Sequence, residues 1–227
     1  NIRYTRLIKG NWFYNLSLRA DINTSEVNRN TFDFNEVAQD YTDVNSNLTN
    51  EIKTSTTIYA PSAGLRFKKD KLNIRFNLGY NTTTLKNNDV LVQTNISNKF
   101  NSLNFRANIW KQMGQGKSIW GSVSNNAGTP QISQLQPIID NSNPLNTIIG
   151  NPNLKASNTT RISFSYKNFN MKTKSGYNIY ITSSLTDNQS TSKTSTDSET
   201  LKRITTYENV NGNFWVYFSG GYNKKYK

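Results

Sequence analysis

Apolar and polar residues alternate with a period of two along most of this chain. In 11–23 the even positions hold Trp12, Tyr14, Leu16, Leu18, Ala20 and Ile22, while Asn15, Ser17, Arg19, Asp21 and Asn23 take the odd ones. In 72–81, Leu72, Ile74, Phe76, Leu78 and Tyr80 alternate with Asn73, Arg75, Asn77, Gly79 and Asn81. The same rhythm carries Leu103, Phe105, Ala107 and Ile109, then Tyr177, Ile179, Ile181 and Leu185. In 204–218 it carries Ile204, Val210, Phe214, Val216 and Phe218, with Glu208 as a polar exception. Successive side chains of a strand point to opposite faces, so each stretch reads as a strand with one apolar and one polar face. No segment sustains a helical period with caps. The pattern predicts nine strands, near 2–8, 11–25, 51–67, 72–87, 97–110, 117–125, 159–169, 176–187 and 201–220.

The connections alternate in length. Short ones fall at Lys9 to Asn11, Lys68 to Lys71, Lys111 to Lys117 and Asn170 to Ser175, and long ones at about 26–50, 88–96, 126–158 and 188–200. Charge sorts the same way. Lysines crowd the short ends, whereas eleven of the fourteen acids, among them Glu26, Asp33, Glu36, Asp40, Asp43 and Asp140, lie toward the long connections. Short turns at one rim and long loops at the other are the signature of an outer-membrane β-barrel with periplasmic turns and extracellular loops. The predicted strands often exceed 12 residues, long beside the roughly 5–6 of a sandwich strand. A soluble β-sandwich or β-solenoid is the competing architecture.

Composition fits this architecture. Only 34% of the 227 residues are hydrophobic, and 84 are Asn, Ser or Thr, which alone would point toward disorder. The 12% aromatic content argues against disorder. A strand between lipid and a wet lumen needs apolar residues at only half its positions, and closing the sheet satisfies the backbone without a large core. With no Cys and no His, the chain has no disulfide framework, thiolate nucleophile, Ser-His-Asp triad or Cys/His-ligated metal site. No enzymatic activity, cofactor or metal is expected. The net charge of +13 is not a nucleic-acid footprint, because the lysines are spread over separate turns rather than along one stripe. The start at Asn1 and the abrupt finish read as an internal piece of a longer protein.

On the polar faces lie Arg19, Arg66, Arg75, Arg106 and Arg161, with Lys167, interleaved with Asn and Ser. They form either an electropositive wall, for anionic cargo or an acidic partner surface, or ordinary lumen filling. Trp12 and Tyr14, just after a short turn, fit an interfacial aromatic girdle; Trp110 and Trp120 fall on the lumen side by parity. The acidic stretch 26–50 matches no calcium-loop spacing and reads as a solvated loop.

The connection 126–158 stands apart, holding four of the five prolines. Proline removes a ladder donor, so no strand interior is expected there. It runs Pro130, Gln131, Ile132, Ser133, Gln134, Leu135, Gln136, Pro137, and then Asp140, Asn141, Ser142, Asn143, Pro144, Leu145. It continues with Gly150, Asn151, Pro152, Asn153, Leu154, Lys155. These runs resemble the Bacteroidota type of outer-membrane β-barrel protein in the TonB-dependent receptor family. Tyr4 to Gly10 and Asn209 to Asn213 resemble flanking strands of that family, and Ala156 departs from the Pro that usually follows Leu-Lys.

The resemblance implies a bacterial outer-membrane location and a barrel of about 22 strands around an N-terminal plug. It implies uptake of a ligand it does not identify. Residues 1–227 would be part of one such barrel, with plug and remaining strands elsewhere. The implied partners are outer-membrane lipid, lipopolysaccharide and the TonB complex acting through the plug, and a surface lipoprotein or other outer-membrane complex subunits stay open. Pro130, Gln134, Leu135, Pro137, Asp140, Asn141, Asn143, Pro144, Gly150, Asn151, Pro152 and Leu154 would form a structural or ligand-facing element of an extracellular loop. A scaffold barrel without active transport, or a soluble β-rich adhesin or carbohydrate-binding module, remain alternatives.

Overall fold

The computed structural model describes residues 1–45, 49–89, 94–136, 139–143 and 145–225. The first strands are β1 (Ile2–Lys9), β2 (Trp12–Arg29), β3 (Phe32–Asn35), β4 (Asp40–Val44), β5 (Asn50–Lys69), β6 (Leu72–Asp89), β7 (Thr94–Gly114) and β8 (Lys117–Gly128). A single helical turn α1 (Ile132–Leu135) leads to β9 (Ile139–Asn143) and β10 (Asn146–Ile149). Then come β11 (Ser157–Asn170), β12 (Ser175–Asp187), β13 (Gln189–Thr196), β14 (Arg203–Val210) and β15 (Asn213–Lys224). Among the described residues no helix is long and apolar enough to cross a membrane, which leaves crossing by strands open.

Nine strands form one antiparallel sheet in the order β1-β2-β5-β6-β7-β8-β11-β12-β15. Eight of them match strands read from the alternation, and β15 takes up the second half of the ninth. The four short turns each contain a residue in the left-handed region: Gly10 at φ 58°, Asp70 at 43°, Gly116 at 71° and Lys174 at 49°. That conformation reverses the chain in two to four residues. At Gly116 a side chain is also excluded by space, since a Cβ would stand 2.0 Å from the carbonyl oxygen of Phe169 in the neighbouring turn.

Three expectations change at the other end. First, β5, β6 and β7 run further than the alternation suggested, and Asp89 still pairs with Thr94. Polar residues outside the alternating stretch keep the ladder because only hydrogen bonding is required there. Second, the predicted strand 201–220 is two strands. β15 stays in the main sheet, whereas β14 joins a four-stranded sheet ordered β13-β14-β10-β9. The predicted loop 188–200 is mostly β13, which pairs with β14. The pairs Thr186↔Asn213 and Gln189↔Val210 keep one register across the break. Asn188 at φ 53° and Gly212 at 77° therefore bend a single long hairpin without slipping it. Third, the proline-rich connection contains α1, β9 and β10, and the acidic connection 26–50 holds the β3–β4 hairpin.

The cross-strand register defines the two faces of the main sheet. One row on the apolar face runs Trp12, Phe67, Ile74, Ile109, then Gly121, Phe164, Ile181 and Phe218. These side chains lie open: Leu16 is 51% exposed, Phe76 44% and Phe218 65%. An apolar face that large does not persist in water. Along β2 it extends from Trp12 to Ile22, about 33 Å of strand and about 25 Å of height at a ~40° tilt, the height of an outer-membrane belt. The opposite face is polar and is held by hydrogen bonds rather than apolar packing. The hydroxyls of Ser17 and Ser62 meet at 2.6 Å and those of Ser163 and Thr182 at 2.8 Å. Asn15 Nδ2 donates to Asn77 Oδ1 at 3.2 Å across the intervening strand. Gly64 lies between them, where a Cβ would come within 2.2 Å of Asn77 Oδ1. Buried apolar residues among those described number three, Leu85, Leu135 and Leu154, packed with Phe100, Ile132 and Tyr207.

Candidate functional site

The polar face is the hollow side of the sheet. A cavity of about 670 Å³ lies on it, and its lining includes Arg3, Arg19, Arg66, Arg75 and Arg106. Arg66 and Arg75 are direct cross-strand partners on β5 and β6. Like charges in that arrangement repel, so the pair costs stability unless something anionic faces it. Arg66 Nε donates to Asn73 Oδ1 at 3.2 Å, a neutral partner. The ion pairs among the described residues are Arg19–Asp21, Lys53–Glu26, Lys53–Glu51 and Lys193–Glu208. Arg66, Arg75 and Arg106 therefore carry no carboxylate partner there.

Four of the five arginines singled out in the sequence line this cavity. Arg161 does not. It lies in one register row with Arg106 and Ser124, and its guanidinium stands over Trp215, 5.6 Å from the ring centroid. Arg3 was missed because strand 2–8 alternates weakly. The asparagines beside the arginines share their face: the row Thr5, Asn15, Gly64, Asn77, Arg106 crosses five strands.

Trp12 and Tyr14 lie on the apolar face at its short-turn end. Trp12 packs on Phe67 at 5.0 Å and Tyr14 on Tyr4 at 6.0 Å. Tyr166 and Tyr177 meet at 5.7 Å at the same level further round the sheet. Trp110 and Trp120 pair with each other and share the polar face with Asn73 and Ser165.

The proline-rich connection does not stand out as an exposed loop. Leu135 is fully buried and Leu154 is 3% exposed, both against Leu85. Leu85 lies on the hollow face of β6, with the parity of Arg75 and Asn77. Pro130 and Gly150 are buried as well. A Cβ on Gly150 would come within 2.1 Å of the carbonyl oxygen of Gln136, so only glycine lets the backbone after β10 approach the backbone after α1 this closely. Gln134 Oε1 accepts from the Gln131 backbone N–H at 3.0 Å and closes the helical turn. The Gln134 carbonyl accepts from the Asn151 backbone at 2.7 Å.

The segment is tied to both sides of the sheet. Asn151 Nδ2 donates to the Tyr207 carbonyl at 2.9 Å, and Asn98 Nδ2 donates to the Pro152 carbonyl at 3.0 Å. The Lys155 backbone N–H donates to Asn209 Oδ1 at 2.8 Å, while Asn209 Nδ2 donates to the carbonyls of Lys155 and Asn188 at 3.1 and 2.7 Å. Asn209 thus bridges the segment to the bend of the long hairpin. Asp140, Asn141 and Asn143 are described only as backbone of β9, and Pro137 and Pro144 lie outside the described residues.

Comparison with known proteins places this architecture. The profile of the outer membrane protein beta-barrel family matches residues 4–227. A search of curated proteins finds no match. Among solved structures, the chain resembles a double mutant of the Serratia marcescens hemophore receptor HasR in complex with its hemophore HasA and heme. The TM-score is 0.59 at 9% identity, over 93% of this chain and 39% of that one. The siderophore receptor PirA from Pseudomonas aeruginosa aligns at a TM-score of 0.49 and 11% identity, over 95% of this chain and 51% of that one. The chain therefore spans about two-fifths of the length of the first and half of the second.

Proposed function

The chain belongs to the outer membrane protein beta-barrel family, and from that premise we propose that it forms part of the barrel of a TonB-dependent receptor that takes up a ligand across the bacterial outer membrane. The observation that carries the reading is the division of the nine-stranded sheet. One face is an exposed apolar belt suited to lipid, and the other is a hollow basic wall suited to a polar passage.

In lipid, the outer edges of β1 and β15 must be paired, because unpaired backbone groups cost several kcal/mol each there. Further strands complete the sheet, and a lumen wide enough for a plug needs about 22 in all. In that setting Arg3, Arg66, Arg75 and Arg106 face the plug or passing cargo and favour negative charge. Trp12 and Tyr14 belong to the aromatic girdle at the periplasmic interface. The segment 131–155 serves as an internal brace at the extracellular mouth.

The test uses the full-length protein in its native membrane, with site-specific crosslinking to TonB and ligand uptake measured with and without the energising complex. The reading expects a TonB crosslink and uptake that stops when the complex is removed. A barrel that never crosslinks to TonB but co-purifies stably with other outer-membrane subunits overturns active transport in favour of a scaffold.

A further inference from the structure

Above the belt a second sheet stands over the hollow. It consists of β13, β14, β10 and β9, and among the described residues it shares no ladder with the nine-stranded wall. Its chain connections all rise from β8, β11, β12 and β15. Its apolar contact is made elsewhere. Tyr207 of β14 packs on the cluster of Leu135, Leu154 and Leu85, as does Phe100, and Leu85 and Phe100 lie on the hollow faces of β6 and β7. Five strand spacings separate β15 from β6, about 24 Å along the wall. Tyr207 lies only six residues before Asn213, about 20 Å of strand. The hairpin therefore leans inward over the hollow instead of continuing up the wall, and the bend at Asn188 and Gly212 turns it there.

The line where this roof meets β7 is weakly made. Above Phe105↔Asn125, β7 has no ladder partner on the side of β8. Residues 152–156 run there instead, with a cavity of about 370 Å³ between them and Asn98, Lys99, Phe100 and Asn101. Those four are consecutive and point to both faces of β7, so the cavity opens along the edge of the strand. Between described residues one hydrogen bond crosses this seam, from Asn98 Nδ2 to the Pro152 carbonyl at 3.0 Å. Asn98 Oδ1 is buried there and accepts none, and Ser190 Oγ, two residues past the Asn188 bend, is also buried without a partner. Such groups destabilise the docked state, and access of water at the seam would satisfy Asn98. Inside the roof the bonding is denser. β10 pairs with β14, the Arg203 N–H donates to the Leu145 carbonyl at 2.9 Å, and Asn151 Nδ2 donates to the Tyr207 carbonyl at 2.9 Å. The roof is held together more firmly than it is held to β6 and β7.

We propose that this roof is a lid. It pivots at the tops of β8, β11, β12 and β15, parts from β6 and β7 along the seam, and so controls entry to the arginine cavity below. The lid rests on the uptake reading for what enters, not for how it moves.

The experiment uses the full-length protein in lipid vesicles, with any cysteine elsewhere replaced. Spin labels on Lys99→Cys and Asn153→Cys, both exposed beside the seam, report its width. Labels on Asn153→Cys and Ser198→Cys, the latter in the turn between β13 and β14, report the shape of the roof itself. Leu85→Ala cuts the contact from the wall side. It should raise the ratio of a longer seam distance to the docked one roughly thirtyfold or more, the factor for truncating a buried leucine, and leave the Asn153–Ser198 distance unchanged. Phe100→Ala makes the same cut if Leu85→Ala does not fold. A bulky membrane-impermeant maleimide should label Asn104→Cys, in the arginine cavity, faster in the same proportion. A single docked distance in wild type and variant alike, or an Asn153–Ser198 distance that spreads as the seam widens, overturns the lid. Unchanged labelling of Asn104→Cys overturns its control of entry. None of these readouts involves TonB or uptake, so a barrel that does not transport would fail separately.

Discussion

Leu135→Ala tests whether the 131–155 segment is a docked brace rather than a free loop. Leu135 is fully buried against Leu85 and Leu154 in a cluster of three buried apolar residues among those described. Truncating a buried leucine costs about 2–5 kcal/mol. The small cluster has little else to close the hole, and the membrane belt does not depend on it. The loss should therefore appear as local opening of the segment and not as unfolding of the barrel. At about 3 kcal/mol the open population rises roughly a hundredfold. The assay is amide hydrogen exchange of the full-length protein in detergent. The informative amides are Asn151, bonded to the Gln134 carbonyl at 2.7 Å, and Lys155, bonded to Asn209 Oδ1 at 2.8 Å. Both should exchange about a hundredfold faster, while amides of β6 and β7 inside the belt stay unchanged. Leu103→Ala, at a site 58% exposed on the convex face, should leave Asn151 and Lys155 protected. Unchanged protection of Asn151 in Leu135→Ala would refute the docking argument.

Three further outcomes follow from separate features. Gly150→Ala should loosen the same segment by about 1–3 kcal/mol through overpacking against the Gln136 backbone, seen as faster cleavage there in limited proteolysis, and an unaltered cleavage pattern would contradict it. Phe76→Arg, in the middle of the belt, should destabilise folding into vesicles by about 2–4 kcal/mol, and Asn77→Arg one residue on should cost far less, as read from urea titrations; equal costs would dismiss the assignment of faces. Asp197 closes the turn between β13 and β14, where the backbone N–H groups of Thr200 and then Glu199 hold its carboxyl below the ordinary range. Its contribution is complete above the unfolded carboxyl pKa of about 4 and is lost as pH falls through the depressed folded value. Exchange protection of Glu199 and Thr200 should therefore fall in acid, and Asp197→Asn should remove that dependence; protection that stays flat into strong acid would contradict it.

The main sheet was legible because lipid on one side and a wet cavity on the other impose a period of two, which the belt keeps with few exceptions, such as Arg6 and Ser183 on its apolar face. The sequence was less readable above the belt. There, Thr, Ser and Asn suit either face, so β13 passed as loop and β14–β15 as one strand. The bend at Asn188 and Gly212 is a matter of positive φ within an unbroken register, which alternation does not reveal. The proline-rich segment was recognised as special, but its burial was not. A signal did exist. Leu85 and Phe100 are apolar residues on the polar parity of β6 and β7, and Leu135 and Leu154 are isolated leucines in a polar connection. Apolar residues on the wrong parity of two adjacent strands mark where something docks on the hollow face. The basic wall was mostly readable, since Arg19, Arg66, Arg75 and Arg106 each fall on the polar parity of their own strand, but the direct opposition of Arg66 and Arg75 required the register.

The central claim is that the sheet separates lipid from a polar hollow. Residues 1–227 contain no cysteine, so once any cysteine elsewhere in the full-length protein is replaced, single cysteines can be placed one at a time from Leu72 to Asn81 on β6 without background labelling. In the full-length protein in lipid vesicles, an environment-sensitive fluorophore at each site is challenged with a lipid-bound quencher and with a water-soluble one. The account predicts strict alternation: positions 72, 74, 76, 78 and 80 quenched from lipid, and 73, 75, 77, 79 and 81 quenched from water or shielded by a plug, but not by lipid. Quenching with a helical period, or by the aqueous reagent at all ten positions, would contradict it.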